Sequence, residues 1–197
     1  MDEFWAIVLA AGESKRMGSP KMLLPFNGLT MIEKVIANVL DSKIRNIMVV
    51  LGADREPIVK LIETKAVNYC YNENYKDGML SSVVCGFRNL PIDHSAVLVF
   101  QGDQPLVTPK AINSVIEVYI SSGKGIVIPV FKNKRGHPIL IDRKYRNEIL
   151  KLSPDEGLRS LALKFPDDVS EADTDESGIL RDFDTYDEYK KGINQIH

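Results

Sequence analysis

Apolar residues along this chain fall into two kinds of run. Phe4–Leu9, Asn46–Leu51, Val67–Tyr71, Ala96–Gln101 and Gly125–Val130 are short, nearly continuous and rich in Val and Ile. Runs of that kind predict strands buried on both faces. Between them lie Thr30–Leu40, Arg55–Glu63, Met79–Leu90 and Pro109–Ser121, whose apolar positions have helical spacing. In the first of these, Ile32, Val35, Ile36, Val39 and Leu40 recur at i, i+3, i+4, i+7 and i+8, which makes one apolar stripe. Buried strands alternating with amphipathic helices predict an α/β fold: three layers, a mostly parallel central sheet with helices on both faces.

The pattern changes after Val130. Lys132–Gly136 is a polar turn, His137–Ile141 a short strand, and Arg143–Leu152 and Asp155–Phe165 two helical pieces. A strand near Ile179–Phe183 follows. A helix then starts at Thr185, where Thr185 and Glu188 have the spacing of a capping box. No Pro-, Gly- or Ser-rich stretch divides the chain and no internal repeat is found. The expectation is one domain over residues 1–197, with the later segment inserted over the mouth of the sheet. A chain of this length can bury roughly 70% of its unfolded surface.

Composition narrows the function. Lys and Arg number 25 against 27 Asp and Glu, a net charge of −2 with no basic block. That argues against a dedicated nucleic-acid binder. The 44% hydrophobic content argues against a disordered chain. The acidic start, Met-Asp-Glu, lacks the basic region of a secretory signal. The run from Phe4 to Ala11 is far short of the ~20 apolar residues that span a bilayer. No membrane association and a cytoplasmic location are expected. The two cysteines, Cys70 and Cys85, are not spaced as zinc ligands and are expected to be buried, reduced, structural thiols.

Candidate chemistry begins directly after the first strand, in residues 9–21, which read LAAGESKRMGSPK. Small residues and glycines there let backbone N–H groups approach an anion, at the carboxyl end of a strand where α/β sheets bind ligands. Lys15, Arg16 and Lys21 add positive charge suited to a polyphosphate. The spacing fits neither G-x-x-x-x-G-K-[ST] nor G-x-G-x-x-G. A second candidate is Asp103, placed by Gly102-Asp103-Gln104-Pro105 at the end of another apolar strand. One or two carboxylates with substrate phosphates suffice for Mg²⁺, although Asp before Pro is also an ordinary turn. Asp182 and Asp184 precede the last helix, where acids also simply favour a helix N-terminus.

The loop Leu9-Ala10-Ala11-Gly12, Ser14–Gly18 and Lys21-x-Leu23-Leu24-Pro25 resembles the signature of the nucleotidyltransferases that handle molybdenum cofactor. In that family the Leu-Ala-Ala-Gly form accompanies the CTP-using cytidylyltransferase branch. Leu-Ala-Gly-Gly tends to mark the GTP-using one. The resemblance implies a Rossmann-like nucleotidyltransferase fold and assigns Leu9, Ala10, Ala11 and Gly12 to nucleotide contact. Arg16 and Lys21 match the residues that hold the triphosphate. Gly102–Pro105 matches a Gly-Asp-Gln-Pro motif and makes Asp103 a metal ligand. Asp182–Glu188 resembles Asp-x-Asp-Thr-Pro-Glu-Asp, with Tyr186 in place of Pro, and makes Asp184 the second ligand with Asp182 as the lesser alternative. Gly78, Ser82 and Gly86 match Gly-x-x-x-Ser-x-x-x-Gly, which puts Gly78 and Ser82 beside the nucleotide. Gly136-His137-Pro138 resembles a turn on the acceptor side. Asp155–Arg159 resembles Gly-Asp-x-Gly-Ala-Arg, but with Pro154 and Leu158 as departures.

What the resemblance implies is transfer of CMP from CTP to the phosphate of molybdopterin, with Mg²⁺ as cofactor and pyrophosphate as product. Lys21, Arg16 and Asp103 would be catalytic. The nucleotide side would lie mainly in residues 1–108 and the acceptor side mainly in 109–197. The product implies docking to a molybdenum hydroxylase or its chaperone. The alternatives are a GTP-dependent or sugar-phosphate transferase of the same fold, or a non-catalytic molybdopterin carrier.

Overall fold

The computed structural model describes residues 3–153 and 156–194. The first half runs β1 (Phe4–Ala10), a hairpin of β2 (Pro25–Phe26) and β3 (Leu29–Thr30), α1 (Met31–Leu40), β4 (Asn46–Leu51) and α2 (Arg55–Ile62). It continues with β5 (Asn68–Tyr71), α3 (Met79–Asn89), β6 (Ala96–Gln101) and α4 (Pro109–Ser122). The second half holds β7 (Ile126–Phe131), β8 (Lys134–Arg135), β9 (Ile139–Asp142) and α5 (Arg146–Ile149). After them come α6 (Leu158–Lys164), β10 (Val169–Asp173) and α7 (Tyr186–Asn194).

The main sheet has the order β10-β7-β9-β6-β1-β4-β5, with β8 against β7. β1 is central and pairs in parallel with β4 and β6; β4–β5 and β7–β10 are parallel too. β9 alone of the long path runs antiparallel, between β6 and β7. The period of two along β1 sends its side chains to two cores. Ala6, Val8 and Ala10 join Ile32, Val35, Ile36 and Ile112 on one face. Trp5, Ile7 and Leu9 join Val83, Phe87, Ile149 and Leu161 on the other. The three-layer α/β expectation therefore holds. Among the described residues no helix is long and apolar enough to cross a membrane.

Several local expectations need correction. Ile179–Phe183 is not a strand: Ser177–Leu180 forms a 3₁₀ turn, and the chain beyond it is irregular. Its apolar residues Ile179 and Phe183 are buried by packing, without a ladder. The strand in this region is instead β10, at the sheet edge, where only Ala172 is buried and the polar sequence hides the signal. The later segment is not an insertion over the sheet, since β9 and β10 are part of it. Arg143–Leu152 holds only a 3₁₀ turn and the short α5, and α6 starts at Leu158. Pro154 and Asp155, which belong to the Asp155–Arg159 motif, lie outside the described residues. Of the thiols, Cys70 is buried as expected, whereas Cys85 is half-buried.

Candidate active site

The ends of β1, β6 and the approach to α7 meet at one cleft of about 380 Å³. Leu9, Ala11, Gly12, Arg16, Lys21, Gly78, Ser82, Asp103 and Asp184 line it, so nearly every residue singled out in the sequence converges there. Ala10 is the exception: it is 1% exposed, sits in the core and is not part of the lining. Gly86 also stands apart. A Cβ there would lie 2.9 Å from Ile7 side-chain atoms, so its role is close packing of α3 on β1.

The first loop is shaped by its own hydrogen bonds. Met17 N donates to Ser14 O at 2.9 Å, and Lys21 N donates to Ser14 Oγ at 3.0 Å. This closure turns Arg16 and Lys21 toward the same carboxylate. Arg16 Nη2 lies 2.8 Å from Asp184 Oδ2, and Lys21 Nζ lies 3.1 Å from Asp184 Oδ1 and 2.5 Å from Asp103 Oδ2. Lys15 instead pairs with Glu13 at 2.8 Å, at the exposed rim.

Asp103 is held by the parallel pairing of β6 with β1. Gly102 N donates to Leu9 O at 2.9 Å, and a Cβ on Gly102 would meet that oxygen at 2.7 Å. The following loop is clamped from below by Asn38 of α1, whose Nδ2 donates to Pro105 O at 3.0 Å and Val107 O at 2.8 Å. Asp182 and Asp184 arrive through Phe183, which inserts into a third core with Phe26 and Tyr189. The Phe26 and Phe183 ring centroids are 5.8 Å apart, and Tyr189 Oη donates to Pro25 O at 2.5 Å. The predicted capping box fixes the start of α7: Thr185 N donates to Glu188 Oε2 at 2.9 Å and Glu188 N to Thr185 Oγ1 at 3.3 Å.

Asp103, Asp182 and Asp184 can each present one oxygen within 4.8 Å of the others. Asp182, the lesser alternative in the sequence, thus joins the other two. Burial opposes the charge of Lys21, but Asp103 and Asp184 outweigh it and hold the ammonium above the ordinary lysine range. Burial likewise opposes ionisation of Asp184, and Lys21 and Arg16 prevail and pull its carboxyl below the usual value. Asp182 is pushed up by burial and by the neighbouring charges of Asp103 and Asp184. A cluster of three carboxylates is a hard oxygen donor set that calls for positive charge. The ammonium of Lys21, lodged against two of them, already meets part of that demand.

A MobA-like NTP transferase domain model matches residues 6–169. The chain belongs to that family. This MobA-like transferase is 34% identical over 151 residues to the bifunctional protein GlmU of Clostridium kluyveri, which covers 75% of the chain and 33% of GlmU. It therefore spans about a third of the length of the curated relatives it matches first. It is also 27% identical over 183 residues to the molybdenum cofactor cytidylyltransferase of Escherichia coli K12, covering 93% of the chain and 92% of that protein. Among solved structures, Rv0371c of Mycobacterium tuberculosis shares the fold with a TM-score of 0.87 and 24% identity, over 98% of both chains. A nucleotidyl transferase from a Methanothermobacter species does so at 0.84 and 21%, over 99% of this chain and 98% of the other. The MobA-like fold and the nucleotidyltransferase family are thereby shown.

The sequence reading of this MobA-like transferase missed Tyr75, Met79 and Gln101, which also line the cleft. It also missed Asn38 and Asn72 behind the lining. Asn38, a polar residue inside an apolar helix, was the available signal for the first. His137 belongs to the acceptor-side turn and lies with Nε2 3.4 Å from Gln101 Nε2; burial pushes its imidazole down and Asp103 works against that.

Proposed function

We propose that this protein transfers CMP from CTP to the phosphate of molybdopterin and releases pyrophosphate. The reading rests on the carboxylates of Asp103, Asp182 and Asp184 facing Lys21 and Arg16 at the mouth of the Leu9–Gly12 loop. Two further observations support it. The Leu-Ala-Ala-Gly form of the loop favours CTP, and a relative that the chain matches nearly end to end is named a molybdenum cofactor cytidylyltransferase.

In this reading residues 1–197 form one domain, with the nucleotide side mainly in 1–108 and the acceptor side mainly in 109–197. The backbone of Ala11 and Gly12 approaches the phosphates, and Lys21 and Arg16 bind their charge as the α–β bridging oxygen leaves with pyrophosphate. An oxygen of the molybdopterin phosphate, already ionised near neutral pH, forms the new bond to the α-phosphorus, so no general base is required. Ser82 accepts a hydrogen bond from Asn72 Nδ2 at 3.0 Å, which leaves its own proton to donate toward the nucleoside. Asp103 and Asp184, with Asp182 beside them, would hold Mg²⁺. Bound there, the ion supplies charge neutralisation at the phosphates. Catalysis then comes from positioning and electrostatics. The product would be handed to a molybdenum hydroxylase or its chaperone, in the cytoplasm.

The test is pyrophosphate release with each of the four NTPs, with and without molybdopterin, in Mg²⁺. Release with CTP alone, dependent on molybdopterin, is the expected result, and Asp103→Ala should abolish it in a folded protein. Equal release with all four NTPs, or release independent of molybdopterin, would overturn the assignment. Binding of molybdopterin without any release would favour a carrier instead.

A further inference from the structure

The two cysteines lie on adjacent elements outside the metal cluster, Cys70 on the edge strand β5 and Cys85 on α3. Both are free thiols, and their sulfurs are 3.7 Å apart. The sulfurs are thus already neighbours, and a disulfide would bring them to ~2.05 Å. We infer that Cys70 and Cys85 form a reversible intrachain disulfide when a small external disulfide, such as oxidised glutathione, is available as oxidant.

The environments of the two thiols give the order of events. Cys85 opens into a second cavity of about 380 Å³ bounded by Tyr71, Leu80, Val84, Arg88 and Leu152, so a reagent can reach it. Its thiolate is favoured by the hydrogen bond from Cys70 and, against the cost of burial, by Arg88, which lower the thiol to about 7. Asn89 Nδ2, 3.9 Å from Cys85 Sγ, is a further donor to the sulfur. Cys70 is buried, and its thiol is pushed up by the hydrogen bond with Cys85, by burial and by the charge on Cys85. Cys85 therefore attacks first. Its thiolate takes one sulfur of the external disulfide and expels one thiolate, giving a mixed disulfide. That step removes the charge that suppresses ionisation of Cys70. The Cys70 thiolate then attacks the Cys85 sulfur and expels the second external thiolate. In sum, two protein thiols lose two electrons and two protons, and one external disulfide becomes two thiols.

The location gives the bond a consequence. Asn72, two residues after Cys70, donates to Ser82 Oγ at 3.0 Å and to Ser81 Oγ at 2.8 Å, and Ser82 lines the nucleotide cleft. The thiol pair and this hydrogen-bonded pair connect the same two segments side by side. A disulfide would thus fix the distance on which the cleft-facing serine depends.

The experiment exposes the reduced full-length protein to oxidised glutathione, traps remaining thiols with an alkylating reagent and reads the mass. With two cysteines in the chain, the count is unambiguous. The expected result is loss of both alkylatable thiols, a mass lower by two hydrogens, a Cys70–Cys85 linked peptide from a single chain, and full reversal by dithiothreitol. Cys70→Ser should stop at a stable glutathione adduct on Cys85, and Cys70→Ala serves if the serine variant does not fold. Two thiols still alkylatable after exposure would overturn the inference. So would a wild-type protein that stops at the Cys85 adduct or forms a disulfide between two chains. None of these readouts depends on the nucleotidyl transfer proposed above.

Discussion

Lys21 Nζ lies 2.5 Å from Asp103 Oδ2 although the two residues are 82 positions apart. The pair forms where the loop after β1 meets the end of β6, two parallel neighbours in the sheet. Asp184 shares the same ammonium at 3.1 Å and also takes Arg16 at 2.8 Å. The cleft is thus built from three carboxylates and two cations that restrain one another. In the proposed reaction an incoming polyphosphate would exchange these internal ion pairs for contacts of its own, which would tie ligand binding to the loop's position.

Replacing Lys21 by Gln removes the cation lodged between two acids. Transfer efficiency, kcat/KM, should fall by about 100-fold or more, the scale for losing one charge-stabilising donor. Asp103 then loses its cation and Asp184 keeps only Arg16, so added Mg²⁺ should raise Tm more in the variant than in the wild type. Equal rises in the two proteins would show that Lys21 does not share the carboxylates' site.

Asn38→Leu keeps the branched heavy-atom outline of the side chain but leaves the carbonyls of Pro105 and Val107 without their donor. Two buried acceptors left unpaired should cost roughly 2–4 kcal/mol in urea unfolding. A loss below about 0.5 kcal/mol would mean that water replaces the amide at both carbonyls.

Gly86→Ala places a methyl 2.9 Å from Ile7, whose side chain is fully buried. Overpacking of this kind should lower stability by roughly 1–3 kcal/mol. The KM for nucleotide should stay unchanged, because Gly86 packs behind the cleft and does not line it. A raised KM with unchanged stability would show that Gly86 acts on the ligand and not through packing.

His94 makes acid stability predictable. It is fully buried, with Nδ1 2.6 Å from Pro91 O. Burial pushes its pKa down, Arg146 and Arg143 reinforce that, and the Pro91 carbonyl opposes it. The unfolded chain, with an ordinary histidine near 6.5, therefore takes up the proton first. This contribution to stability is complete above about pH 6.5 and is lost as pH falls below it toward the lowered folded value. Urea midpoints measured from about pH 7.5 to 5.5 should decline, and His94→Gln should flatten the decline. Parallel slopes in the two proteins would assign the acid sensitivity to other groups.

Much of the fold and much of the cleft lining were legible in the sequence, for a common reason. Continuous apolar strands and striped helices identify a parallel sheet, and such a sheet gathers its ligands at the carboxyl ends of its strands. Leu9–Gly12 and Asp103 follow directly from that rule, and Lys21 follows from its place in the same loop. The terminal region was less legible. β10 is an edge strand whose residues are mostly polar, while Ile179 and Phe183 are apolar without belonging to a strand. Burial there comes from packing, which carries no period.

The sequence by itself determined the layers, the first loop and the aspartate after β6, because each depends on residues close together in the chain. Only the tertiary structure decided that Asp182 joins Asp103 and Asp184, that Asn38 supports the Asp103 loop, and that Cys70 meets Cys85. Each of these requires segments far apart in sequence to be brought together. Phe183 shows how the packing does it. Buried against Phe26 and Tyr189, it anchors the chain between two aspartates at the cleft, a placement set by the shape of a core rather than by any local pattern.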